Sequence, residues 1–338
     1  MMRAIAYQTP QPITAETALV GIELPTPVPL GRDLLVEIKA VSVNPVDTKL
    51  RGKAPPPEGE WRVLGFDAAG IVKAVGPDVT LFKPGDAVFY AGSIDRPGTN
   101  AEFHLVDERI VGRKPASLDF AAAAALPLTA ITAWEMLFDR LKVRDGVPGA
   151  ANAILIIGGA GGVGSIAVQL ARSLTDLTVI ATASRPETAA WVKELGAHHV
   201  VDHSKPLAAE VAALGIGAPA FVFSTTNTTE HLPAIVETIA PQGRFGLIDD
   251  PATLDVMPFK RKAVSTHWEL MFTRPLFQTP DMIEQHNLLN AVSQLVDDGT
   301  IRTTLAETLG TINAENLRKA HALIESGRTR GKLVLEGF

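Results

Sequence analysis

The sequence predicts an α/β protein that combines an open, doubly wound parallel sheet with a second, β-rich domain. Three observations predict it. Residues 1 to about 115 read as short strands punctuated by Gly and Pro, the texture of a compact β-rich unit. From Ala153 onward, apolar runs alternate with helix-forming runs in βαβαβ order, which places helices on both faces of a parallel sheet. The chain has 338 residues, and domains commonly run to about 100–200 residues, so two domains are expected.

Taken in chain order, residues 34–41 form a strand-like run, and 71–75 alternate before meeting Gly76-Pro77. Lys83-Pro84-Gly85-Asp86 is a tight turn leading into the apolar strand 87–90. The segment 53–59, with three consecutive prolines, is expected as a surface flap. Residues 119–125 are alanine-rich and helix-prone. Residues 154–157 are fully apolar, as a buried parallel strand requires. After a glycine loop come a helix at 166–174, a strand at 179–181, a helix at 186–195 and a strand at 199–201. A strand at 221–223, a helix at 232–239 and a strand at 244–248 complete this part. Beyond about residue 270 the pattern changes to a helix at 285–296, an extended stretch at 303–309, a helix at 314–326 and a closing strand at 331–335. No internal repeat or low-complexity segment interrupts this order.

Hydrophobic residues make up 46% of the chain and charged residues 20%, the balance of a globular protein able to bury its own core. The net charge of −6 argues against a nucleic-acid partner, which needs a basic face. Cysteine is absent, which excludes disulfides, thiolate nucleophiles and Cys-based zinc sites, and fits a cytoplasmic protein. The first residues lack the apolar stretch of a signal peptide, and the most apolar run, 120–128, is too short to span a bilayer. A soluble protein with no membrane partner is expected.

Gly158-Gly159-Ala160-Gly161-Gly162-Val163-Gly164 contains G-x-G-x-x-G counted from Gly159. It follows an apolar strand and opens a helix, the context in which glycines let the backbone approach a pyrophosphate and the helix N-terminus offers its free N–H groups. This is the Rossmann arrangement. An NAD site places Asp or Glu about twenty residues further on, to hold the ribose 2′-hydroxyl. Here Ile180-Ala181-Thr182-Ala183-Ser184-Arg185 carries no acid. Ser184 can donate a hydrogen bond and Arg185 can pair with a 2′-phosphate, so NADPH is the expected cofactor.

Further motifs join the glycine loop. They are Asn44-Pro45-Val46-Asp47-Thr48-Lys49-Leu50-Arg51-Gly52, Leu64-Gly65-Phe66-Asp67-Ala68-Ala69-Gly70, the Lys83–Asp86 turn, and Leu126-Pro127-Leu128-Thr129-Ala130-Ile131-Thr132-Ala133-Trp134. With them the chain resembles, along nearly its full length, the zinc-independent quinone oxidoreductase branch of the medium-chain dehydrogenase/reductase (zinc-type alcohol dehydrogenase-like) superfamily. The resemblance implies a GroES-like catalytic domain from 1–126 and 272–338 and a Rossmann nucleotide-binding domain from 127–271, meeting in a cleft that holds Asn44 and the glycine loop. It also implies a homodimer. The cofactor-binding set it implies is Thr132, Gly161, Gly162, Val163, Gly164, Ser184, Arg185, His203, Ser224, Ile248 and Lys332. Among eight histidines, none forms a metal-like cluster, and His203 is singled out for contact with the 2′-phosphate or adenine.

Zinc-dependent relatives place Cys where this chain has Asn44 and His where it has Phe66, with a third ligand near Leu128. Phe and Leu cannot ligate a metal, and Asn is a poor substitute for a thiolate, so no metal is expected. In a quinone or enone, hydride adds to a carbon conjugated with a carbonyl, and charge grows on that oxygen. The Asn44 amide and the Lys49 ammonium are the candidate donors that meet it. Asn44 has an alternative reading as a turn residue before Pro45. Lys49 has two, as a surface lysine or as a contact to the nicotinamide ribose. Asp47 is expected to cap the following helical turn. The aromatic and Met-rich stretch 268–277 reads as a substrate wall, a subunit contact or core. The expected activity is NADPH-dependent reduction of quinones or α,β-unsaturated carbonyls. The alternatives are a zinc-type alcohol dehydrogenase and a nucleotide-binding, crystallin-like protein with little turnover.

Overall fold

The computed structural model describes residues 1–338. The chain forms two compact units, one from Met1–Ile131 with Phe272–Phe338 and one from Thr132–Met271.

The first unit begins with β1 (Met2–Tyr7), β2 (Val20–Leu24), β3 (Asp33–Val43), α1 (Pro45–Lys53), β4 (Arg62–Val63), β5 (Ala68–Val75), β6 (Ala87–Tyr90), β7 (Phe103–Asp107) and β8 (Val111–Arg113). Two short helices follow, α2 (Phe120–Ala124) and α3 (Pro127–Trp134), the second running on into a π-helical turn, Glu135–Arg140. β1 pairs antiparallel with β2 and β4, and Met2, Ala4, Ala6, Val63 and Ala101 pack into a small core beneath them. β3 is the spine of the larger sheet, pairing with β5 and β7. Leu34, Val36, Ala40 and Val41 on it are wholly buried.

The second unit continues with β9 (Ala151–Ile157), α4 (Gly162–Leu174), β10 (Thr178–Thr182), α5 (Pro186–Glu194), β11 (His199–Val201), α6 (Leu207–Ala212), β12 (Pro219–Ser224), α7 (Thr228–Thr238), β13 (Arg244–Leu247) and β14 (Ser265–Trp268). All six strands are parallel, in the order β11-β10-β9-β12-β13-β14. The order reverses between β9 and β12, so a crevice is expected outside the carboxyl ends of these strands. Ile154, Leu155, Ile156, Val179, Ile180, Phe221, Val222 and Phe223 are fully buried, as strands covered on both faces demand. Two elements go beyond the expected pattern. α7 begins at Thr228, four residues before the expected helix, and carries Pro233 inside it. β14 adds a sixth strand at the edge.

The chain then returns to the first unit with α8 (Thr273–Phe277), α9 (Glu284–Asp297), β15 (Leu305–Thr308), α10 (Ala314–Glu325) and β16 (Lys332–Glu336). β16 lies antiparallel on β3 with Leu333 opposite Val43. That register carries Lys332 to the level of Asn44. The apolar stretch near residue 120 is longer than the run 120–128 suggested. Phe120–Arg140 is long and apolar enough to cross a bilayer, but 83% of its window is buried within the protein, as in a core helix.

Candidate functional site

In the parallel sheet, the carboxyl ends of successive strands bring most of the predicted cofactor residues to one edge. β9 delivers the glycine loop. Gly158 has φ +79°, and a Cβ there would stand 2.3 Å from Thr225 Oγ1. At Gly164 a Cβ would stand 2.2 Å from the Gly158 carbonyl oxygen, so only glycine lets α4 pack so close to the loop. Gly161 is the N-cap of α4 and no side chain caps that end. The first-turn amides from Gly162 to Gly164 are left to be satisfied from outside, as an anion would do. The Thr182 hydroxyl of β10 accepts the Gly158 N–H at 3.0 Å and ties the loop to the second strand.

Just past β10, Ser184 is exposed, and Arg185 Nε donates to Glu187 Oε1 at 2.6 Å. The predicted phosphate-binding guanidinium is thus already engaged on one side by a carboxylate in the first turn of α5. His203 follows β11. Its ring lies edge-on to His231, centroids 6.0 Å apart, and its buried Nδ1 has no hydrogen-bond partner. Burial lowers the pKa of His231, so that ring is neutral. Ser224 ends β12 and its Oγ accepts from Thr228 Oγ1 at 2.8 Å, while Asp249 accepts the Thr228 N–H at 2.8 Å. Ile248 directly follows β13. Thr132 is buried on α3.

A second cluster belongs to the other unit. Asn44 is the N-cap of α1, and Asp47 completes the cap. Its Oδ2 accepts the Asn44 N–H at 2.8 Å and its Oδ1 accepts the Gly65 N–H at 3.0 Å. Asp67 sits between Gly65-Phe66 and β5, wholly buried. Its Oδ1 accepts the Leu128 N–H at 2.7 Å, and its Oδ2 accepts Asn44 Nδ2 at 2.8 Å and Lys332 Nζ at 3.0 Å. Lys332 donates further to Asn44 Oδ1 and to the Val43 carbonyl at 3.2 Å. Every donor of this buried ammonium has an acceptor. Burial pushes the pKa of Asp67 up, and Lys332, Asn44 and the Leu128 N–H pull it back. Burial likewise raises Asp47, to about 7, against the Asn44 N–H, Lys332 and the Gly65 N–H.

The structure therefore joins two predicted residues, Asn44 and Lys332, through a third that sequence reasoning left out of the site. Asp67 stood inside the Leu64–Gly70 motif. An acid in an otherwise apolar run was the signal for it. Lys332, expected at the cofactor, has its ammonium committed to Asp67, Asn44 and Val43. The Asn44 amide is also largely committed: one N–H goes to Asp67, and the Ser42 carbonyl lies 3.5 Å from the same nitrogen, too long for a strong bond. Lys49 stands exposed on α1.

Two family models match the chain: an alcohol dehydrogenase GroES-like domain over residues 31–116, and a zinc-binding dehydrogenase over 195–335. A zinc-type alcohol dehydrogenase-like protein of Staphylococcus aureus is 40% identical over 340 residues, covering 99% of each chain. A 2-methylene-furan-3-one reductase of Solanum lycopersicum is 38% identical over 180 residues, 51% of this chain and 45% of its own. The solved structure of a protein described as a zinc-dependent alcohol dehydrogenase from Rhizobium etli is 72% identical and superposes with a TM-score of 0.98, covering 100% of this chain and 98% of that one.

These likenesses imply a nicotinamide dinucleotide and a zinc ion, and the residues fit the two differently. The uncapped start of α4, the close approach at Gly158 and Gly164, and the orphaned His203 Nδ1 suit a dinucleotide. The second cluster does not suit zinc. Both Asp67 oxygens are occupied by N–H donors, an ammonium already supplies the positive charge, and Phe66 packs edge-on against Phe272 at 5.2 Å. No three His, Asp or Glu side chains converge as ligands there.

Proposed function

The chain belongs to the medium-chain dehydrogenase/reductase, zinc-type alcohol dehydrogenase-like superfamily of oxidoreductases, and on that premise we propose that it is an NADPH-dependent, metal-free reductase of conjugated carbonyl compounds, quinones or α,β-unsaturated ketones and aldehydes. The observation that carries this reading is the Asn44–Asp67–Lys332 network, a buried amide–carboxylate–ammonium cluster where zinc-dependent relatives need metal ligands. NADPH, when bound, supplies a hydride to the carbon conjugated with the carbonyl.

The residues of the chain then have three tasks. The glycine loop at Gly161, Gly162, Val163 and Gly164 takes the pyrophosphate, while Ser184 and Arg185 take the 2′-phosphate. A guanidinium carries five N–H donors, so one edge of Arg185 can stay on Glu187 while another meets the phosphate. His203, Ser224, Ile248 and Thr132 line the rest of the cofactor. Lys49 adds positive charge beside cofactor or acceptor. Asn44 meets the oxygen on which charge grows. Lys332 on its Oδ1 and Asp67 on its Nδ2 fix the amide plane, and the Lys332 charge polarises the amide and strengthens its remaining N–H as a donor.

The same cluster disfavours simple alcohols, because their hydroxyl must lose its proton as hydride leaves, and nothing here stabilises the developing alkoxide as zinc would. The name of the tomato relative, that of a conjugated ketone reductase, supports the acceptor class. We read the protein as a cytoplasmic homodimer acting on small molecules, with neither nucleic acid nor membrane as partner. Trp268 and Leu270, both more than half exposed at the outer strand, are the proposed subunit contact. A screen of NADPH oxidation against a quinone, an enone, a saturated aldehyde and ethanol tests the reading. Turnover with ethanol but not the enone would refute it.

A further inference from the structure

The glycine loop turns on the two peptide planes that flank Gly158, and every polar group of both planes has a partner within the second unit. In the plane before Gly158, the Ile157 carbonyl accepts from Thr225 Oγ1 at 2.8 Å and from the Thr225 N–H at 3.2 Å, while the Gly158 N–H donates to Thr182 Oγ1 at 3.0 Å. In the plane after it, the Gly158 carbonyl accepts the Gly161 N–H at 3.1 Å, and the Gly159 N–H donates to the Thr182 carbonyl at 3.2 Å. Two threonines therefore supply most of the grip, and they come from opposite sides. Thr182 ends β10 and Thr225 follows β12, the two strands that flank β9. Their hydroxyls serve in opposite senses, one accepting from the loop and one donating to it. Thr182 is 1% exposed, at a strand position that Val would suit equally well. Burying a hydroxyl there costs free energy, which its bond to the Gly158 N–H offsets.

Gly158 is the point through which this grip reaches the candidate phosphate site. Its φ of +79° suits glycine, and Thr225 Oγ1 stands in the space that a Cβ would need. Its carbonyl holds the N–H of Gly161, the N-cap of α4, and lies against Gly164, where only the missing Cβ allows the approach. The amides from Gly162 to Gly164 are thus aimed by a peptide that the two threonines hold. Without the Thr182 hydroxyl, the Gly158 N–H has no partner in this frame. Without the Thr225 hydroxyl, the Ile157 carbonyl keeps only the longer bond from the Thr225 N–H. In either case the loop gains by turning toward water, since an unpaired buried group is costly. We infer that Thr182 and Thr225 are positioning residues that clamp the peptides around Gly158 and so hold the first-turn amides of α4 where a pyrophosphate meets them. The pyrophosphate part rests on the dinucleotide reading above. Both hydroxyls bond the loop that NADH and NADPH would share, and neither bonds Ser184 or Arg185, so the clamp serves the two cofactors alike.

The test compares the full-length protein with Thr182→Val and Thr225→Ala, which remove each hydroxyl, and with Thr182→Ser and Thr225→Ser, which keep it. Dissociation constants for NADPH and NADH are measured by fluorescence. The Val and Ala variants should each lose about fivefold or more in affinity, by the same factor within about twofold for both cofactors, and the Ser variants should stay within about twofold of wild type. Unchanged affinity in the Val and Ala variants, a loss confined to NADPH, or Ser variants as weak as the others would each overturn the clamp. Hydrogen exchange of amides 158–164, measured without nucleotide, should be about tenfold faster in Thr182→Val and Thr225→Ala than in wild type or the Ser variants. Equal exchange in all five proteins would also overturn it. Because exchange needs no cofactor, a wild-type protein that binds neither NADPH nor NADH refutes the cofactor reading while the clamp is still judged.

Discussion

Replacing Asp67 by Asn removes one negative charge from the centre of the second cluster at almost no change in size. Asp67 is wholly buried and Lys332 is 3% exposed, so the ammonium loses its counter-charge in a place water cannot reach. Breaking one partner of a buried ion pair costs about 3–5 kcal/mol, because the surviving charge is left uncompensated. The neighbours make matters worse. The Asn amide would present N–H groups toward Asn44 Nδ2 or the Leu128 N–H, both of which now donate to Asp67. For a domain of this size each kcal/mol moves Tm by roughly 2–4 °C, so Tm should fall by roughly 6–20 °C. Differential scanning calorimetry with urea denaturation as a check measures it. Adding Lys332→Met to Asp67→Asn should return about 2 kcal/mol, since the orphaned charge is then gone. A single variant within about 1 kcal/mol of wild type would refute the claim that Lys332 depends on Asp67. Strict additivity in the double variant would do the same.

Three further outcomes are expected. Arg185→Ala should raise the NADPH dissociation constant roughly tenfold or more, the size of one lost charge-assisted hydrogen bond, and leave NADH nearly unchanged. Equal losses in titration calorimetry would assign Arg185 to folding instead. Asn44→Ala should lower enone turnover by about 10–1000-fold with NADPH affinity preserved, as for removal of one oxyanion donor. Steady-state kinetics that show a raised KM and unchanged kcat would count against that role. His321 is buried with both ring nitrogens unpartnered, and burial, then Arg51, pushes its pKa down to about 3 from 6.5. The unfolded chain therefore takes up a proton that the folded chain refuses. This histidine's contribution is intact above pH 6.5 and is lost as pH falls toward 3, by up to about 1.4 kcal/mol per unit. Relative to wild type, His321→Leu should gain stability steadily between pH 6.5 and 5 in urea melts. A constant difference across that range would show that His321 does not titrate as its burial implies.

Features that depend on neighbours in sequence were legible, and those that depend on register were not. The glycine loop is local: strand, turn and helix start lie within about ten residues, and each glycine answers a steric demand of that turn. The parallel strands announced themselves as uninterrupted apolar runs because both of their faces are covered. β2 and β14 escaped notice, since half-exposed strands carry a weak alternation that Gly and Thr easily obscure. The buried network is non-local. Asn44 and Asp67 are 23 residues apart, Asp67 and Lys332 265 apart, and only the pairing of β16 with β3 brings them to one level. Lys332, directly after Arg330-Gly331, is placed at the cofactor by the resemblance, and only that pairing shows its ammonium committed to Asp67. Arg185 illustrates the converse. Its position was legible, while its engagement by Glu187 follows from side-chain geometry within the first turn of α5.

The central claim is that a buried Asn44–Asp67–Lys332 cluster lets this chain reduce conjugated carbonyls with NADPH and without a metal. The most direct measurement is single-turnover NADPH oxidation at 340 nm, using untagged protein stripped with a strong chelator and assayed by elemental analysis, with an enone and ethanol as the paired substrates. The account predicts full enone reduction at well under 0.1 zinc per chain, no gain on adding zinc, and no oxidation of ethanol with NADP⁺. Enone reduction that vanishes with the metal and returns with it, or ready ethanol oxidation, would contradict it.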